Sequence, residues 1–137
     1  MNGEDPCEAW KCDATQWPIV VLSASDRLTA RVSLGAHLDA LFARRQRVAL
    51  CLDLRQMTSV IDVAARRRLV DWVNMRSAET NGVVAAVAAA ITTPLHRGLI
   101  TAVLWQVKPQ MPTHVFYAVE EASLWLQEQL EADVRRR

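Results

Sequence analysis

The residues of this chain that can do chemistry are few, and their spacing limits what chemistry is open to them. The three histidines, His37, His96 and His114, stand far apart, and no partner is spaced to join any of them. Neither a metal set nor an acid–base pair is therefore indicated. Cys7 and Cys12 have the chemistry to pair or to hold a metal. Their spacing is not that of a zinc knuckle, however, and no second ligand pair follows. Cys51 lies inside an apolar run, where a small thiol acts as filler. Free thiols in a reducing cytoplasm are the expectation. No serine or cysteine sits in a nucleophile elbow, no carboxylates are spaced for acid–base work, and no glycine-rich phosphate loop occurs. The expectation is a protein that catalyses nothing and carries no cofactor and no metal.

Two places remain. In TTPLHR, Thr93 precedes Pro94, a residue favoured at the first helical position, and His96 and Arg97 fall in the first turn. The N–H groups of a helix start, with His96 and Arg97, can hold an anion such as a phosphate, a carboxylate or a lipid headgroup. The plainer reading makes His96 and Arg97 first-turn surface residues. The other place is RVALCLDLRQMTSVID, 47–62. There an apolar run ends in Asp53 and Arg55, and Thr58 and Ser59 can cap the helix that follows, with Asp62 in its first turns.

These residues need a frame. A short apolar run between polar flanks, as in 48–52, reads as a strand buried on both faces. WPIVVL, 17–22, reads as another strand, and 28–32 as a half-buried one that can pair with it as a hairpin. VVAAVAAAI, 83–91, is alanine-rich yet short and bounded by Asn81-Gly82 and Thr92-Thr93-Pro94, so it too is expected to be a strand. Val115, Phe116 and Tyr117 form the last. Helices are expected at about 33–45, 59–78, 95–107 and 120–131. The second has a stripe of Ile61, Ala65, Leu69, Trp72, Val73 and Met75, and the last turns Ala122, Trp125, Leu126 and Leu130 inward. The resulting class is α/β: one mixed, mostly parallel sheet of about five strands with about four helices. In such open sheets the working surface lies at the carboxyl ends of the strands.

The helix 95–107 is apolar all round. With Leu95, Leu99, Ala102 and Val103 toward the sheet, Ile100, Leu104 and Val107 point away and Trp105 lies on a flank. One helix can hardly be wrapped by so small a domain, so that outer face is the expected contact surface. Arg66-Arg67-Arg68 looks like a phosphate patch. A helix turns successive residues apart by about 100°, so the three cannot act together.

With 137 residues, 51% hydrophobic and 23% charged, the chain suits one folded domain. The expected division is a loose arm over 1–16, the α/β body over 17–132 and a basic tail over 133–137 that ends in three arginines. The net charge of +1 supplies no field for nucleic acid. Residues 1–15 lack the apolar segment of a signal peptide, and the longest apolar run is about half a membrane span.

Three stretches, LDLR (52–55), TTPLHR (92–97) and VFYAVEEASLWL (115–126), together with the strand–helix order, resemble the STAS fold of bacterial anti-sigma-factor antagonists. They resemble more closely the small STAS-like bacterial proteins related to lipid-transfer domains. The resemblance covers about 17–130. It implies a cytoplasmic regulatory or scaffolding module that binds a partner and catalyses nothing; self-association or docking of a protein partner is expected through the outer face of the helix 95–107. In the antagonist branch a serine after an aspartate is phosphorylated. The matching pair here is Asp62-Val63, so the acceptor is absent; Thr58 and Ser59 are the nearby hydroxyls.

Overall fold

The computed structural model describes residues 10–24, 39–56, 67, 70–71, 74–75, 80, 82–107 and 111–136. Five strands form one sheet in chain order: β1 (Trp10–Gln16), β2 (Ile19–Ala24), β3 (Val48–Asp53), β4 (Val84–Ala90) and β5 (Thr113–Phe116). β1 and β2 are antiparallel, and the pairs from β2 to β5 are parallel. Two helices are seen along their length, α1 (Pro94–Val107) and α2 (Val119–Arg136). Helical residues also occur at 39–43 and between 67 and 83. This is the mixed, mostly parallel α/β sheet that the alternation of runs implies.

The central strands are where short apolar runs put them. Val48, Ala49, Leu50 and Cys51 are buried on β3, as are all residues of β4 but Val87. The β4 run is mostly alanine, a helix former by propensity. Its burial between two other strands overrides that preference.

Strand alternation divides the core between two faces. One buries Val20, Leu22, Val48, Leu50 and Ala89 under Leu41, Phe42 and Val83, with Ile100 of α1 packed alongside. The other buries Ile19, Ala49, Cys51, Ala86 and Ala88 under Ala122 and Leu126 of α2. Right-handed crossovers between successive parallel strands account for Leu41, Phe42, Val83 and Ile100, all from connecting segments, lying on one face. α2, which follows the last strand, is left to cover the other. Small residues on that second face let α2 lie close.

Several expectations change. The arm expected over 1–16 supplies β1 from Trp10 onward, and the hairpin partner of β2 is β1 rather than 28–32, which lies outside the described residues. β1 escapes a hydrophobicity search because Lys11, Asp13, Thr15 and Gln16 are polar, as suits a strand at a sheet border. Trp17 and Pro18 form the turn between the two strands. Met75 is 84% exposed while Val70 is buried, so the stripe drawn through Met75 has the wrong phase there. α2 runs to Arg136 and takes in most of the expected tail, because Asp133 is held against the body by Arg47.

Candidate functional site at the carboxyl rim of the sheet

The carboxyl ends of β3, β4 and β5 form one continuous rim. Leu54 donates its N–H to the Ala90 carbonyl, and Ile91 donates to that of Phe116, both at 2.9 Å. Three loops leave from here, and each carries polar groups named in the sequence.

After β3, Arg55 folds back on Asp53. Its Nε lies 2.9 Å from Oδ1, its Nη2 3.1 Å from Oδ2, and its backbone N–H donates to Oδ1 at 3.2 Å. The Asp53 hydrogen bond raises Arg55 above its ordinary value, and the negative charge of Glu120 adds to the effect.

After β4, Thr93 caps α1. Its Oγ1 accepts the His96 N–H at 3.3 Å and bonds the imidazole Nδ1, while its carbonyl accepts the Arg97 N–H at 3.0 Å. Thr93 is thus the N-cap and turns His96 inward. His96 is buried, at 6% exposure, and its Nε2 has no hydrogen-bond partner. The surface placement read for His96 from sequence is wrong. Arg97 crosses to the next loop, where its guanidinium carbon stands 4.1 Å from the ring centroid of Tyr117. This is a cation–π contact at the exit of β5.

Of the expected contact residues on α1, Ile100 packs against the core, so the outer stripe drawn through it does not face away from the sheet there. Leu95, expected inward, is 62% exposed. Both errors have one cause. A helix apolar all round carries no phase signal, and rank by hydrophobicity sends leucine in and histidine out. The Thr93 cap does the reverse. Leu104, Trp105 and Val107 lie on α1, but their side chains fall outside the described residues, as do Thr58, Ser59 and Asp62 altogether. Tyr117, read as the end of a strand, stands just beyond β5 and is 58% exposed.

The remaining reactive groups among the described residues are dispersed, and His37 lies outside them. His114, on the α2 side of the sheet, stacks with Phe116 and Trp125 at centroid distances of 4.6 and 5.8 Å. It is separated by the sheet from His96 on the α1 side. Cys51 lies under α2, where burial pushes its thiol up to about 12. Cys12 is exposed on β1, and Cys7 lies outside the described residues. Among the described residues, no three metal-ligating side chains come together, and no helix is long and apolar enough to cross a membrane.

The rim thus presents polar groups paired with one another, the Nε2 of His96 excepted, and two large exposed side chains, Leu95 and Tyr117. In comparisons with known proteins no family model matches the chain, and neither does any curated protein or solved structure.

Proposed function

We propose that this chain is a non-catalytic binding module whose docking surface is the carboxyl rim of the sheet and whose partner is a protein. The observation that carries this reading is the pairing of Arg97 with exposed Tyr117, with a second exposed side chain, Leu95, in the same first turn of α1. Tyrosine and arginine are the residue types that dominate binding energy at protein interfaces. A tyrosine already held by a guanidinium loses little freedom when a partner covers it. Asp53 and Arg55 supply a charged border to the same surface. The catalytic alternative has less support, because Asp53, Arg97 and the Nδ1 of His96 are each occupied by a neighbour. A regulatory or scaffolding role in a bacterial cytoplasm follows from the STAS-like resemblance and belongs to the same proposal.

A second reading, capture of an anion or lipid headgroup by Thr93, His96 and Arg97, has one observation in its favour, the buried and unpartnered Nε2 of His96. Against it, Thr93 already accepts the N–H groups of His96 and Arg97, and Pro94 has none to offer. The chain's own cap takes the place an anion would fill.

The test is affinity capture with the wild type, a Leu95→Glu/Tyr117→Ala variant, and Met75→Glu as an exposed-residue control. A partner kept by the wild type and the control but lost by the rim variant supports the proposal. A partner held equally by all three moves the surface elsewhere. Native mass spectrometry that shows a retained anion or lipid, lost on Arg97→Ala, would promote the second reading.

A further inference from the structure

β1 is one border of the sheet. Its inner side pairs with β2, and among the described residues no strand pairs with its outer side. A border strand offers a row of N–H and C=O groups that another strand can complete. Which strand fits is decided by side-chain order. Lys11, Cys12 and Asp13 are all exposed. They stand in register with Ser23, Leu22 and Val21, so Lys11 and Asp13 share one face and Cys12 takes the other.

An identical strand laid antiparallel, with the two-fold axis through Cys12, places Lys11 of each copy opposite Asp13 of its partner. Both cross-strand pairs are then of opposite charge and on the same face. Sliding the register by two residues in either direction sets Lys11 against Lys11 or Asp13 against Asp13. The charges therefore select one register and reject its neighbours. The Asp13 carboxylate is prepared for this role. Thr15 donates its N–H at 2.9 Å and its hydroxyl at 2.6 Å, both to Oδ1, and neither bond uses Oδ2. Those bonds, the hydroxyl first, hold Asp13 below the ordinary carboxylate value.

We infer that two copies of this chain associate through β1, joining their sheets into one, with the reciprocal Lys11–Asp13 pairs setting the register. This surface is distinct from the rim. The same register brings the two Cys12 residues face to face. Directly opposed antiparallel residues have Cα atoms about 4.5 or 5.5 Å apart, and both separations fall within the range a disulfide spans.

The experiment uses the full chain with Cys7→Ser, so that Cys12 is the thiol that reports on β1; Cys51 is buried. Light scattering should give a dimer. Copper–phenanthroline should then link it: two Cys12 thiols form one disulfide and release two protons, and copper(II) takes the two electrons. The link should be absent in Cys12→Ser. Lys11→Glu turns two attractive pairs into two repulsive ones and should raise the dimer dissociation constant roughly tenfold or more, with native circular dichroism. Adding Asp13→Lys to Lys11→Glu should restore the dimer. A monomeric wild type overturns the inference. So does a dimer indifferent to Lys11→Glu, or a charge swap that fails to recover association.

Discussion

Arg47 grips Asp133 from the far end of the chain: Nη2 lies 2.7 Å from Oδ1 and Nε 3.2 Å from Oδ2. The residue before β3 is thereby fixed to the last turn of α2, with the two side chains 24% and 10% exposed. A two-point guanidinium–carboxylate contact fixes direction as well as distance. It sets where α2 ends against the sheet.

Removing one partner takes the two-point contact away from the other, part-buried charge. Asp133→Asn is expected to cost about 2 kcal/mol in urea denaturation. Arg47→Ala added to Asp133→Asn should cost less than the sum of the two single changes. Strict additivity would show that the pair is not coupled.

The face under α2 is built from small residues, and that sets its tolerance. Leu126 is fully buried against this face, and Leu126→Ala should cost about 3 kcal/mol by leaving a cavity. Ala88→Leu should cost about 1–3 kcal/mol for the opposite reason, since α2 must move away. A neutral Ala88→Leu in thermal melts would mean that the helix is not closely seated.

The Cys51 thiol makes stability fall in alkali. Its folded value is pushed up from 9.0 to about 12, with burial the main cause and the charge of Asp53 the next. Between those values the unfolded chain has lost this proton while the folded chain keeps it, so folding stability drops as pH rises. The slope approaches about 1.4 kcal/mol per pH unit for this one group. Urea melts from pH 8 upward should show the wild type losing more than Cys51→Ala. Parallel curves would remove the argument.

Thr93 carries the start of α1. Thr93→Ala should cost about 1 kcal/mol and Thr93→Ser much less, read from chemical denaturation. The same two variants should differ at His96, whose ring depends on the Thr93 hydroxyl for its Nδ1 bond. NMR of the His96 ring should therefore change in Thr93→Ala and stay near the wild type in Thr93→Ser.

How much of this was legible in the sequence depends on how each element is stabilised. β3 and β4 could be read because burial on both faces leaves an unbroken apolar run between turn residues. The inner face of α2 could be read because Ala122, Trp125, Leu126 and Leu130 keep helical spacing against a polar background. β1 could not, because its evidence is its partner: Lys11 to Asp13 form a strand through the pairing with β2, and nothing in their hydrophobicity says so. At the rim, Asp53, Arg55, Thr93 and Arg97 were found by type and position. The inward turn of His96 was hidden, since it follows from a single hydroxyl bond. Tyr117 was hidden too, because a residue just past a short strand cannot be told from the strand's last member by pattern.

The course of α2 has a practical corollary. It starts beside the rim, near Tyr117, and travels back until Asp133 meets Arg47 ahead of β3. Eighteen residues of helix cover about 27 Å. A fluorophore or affinity handle coupled to the last turn of α2 consequently projects from the pole opposite the rim loops. Immobilising the protein by that handle orients every molecule with the carboxyl rim of the sheet outward.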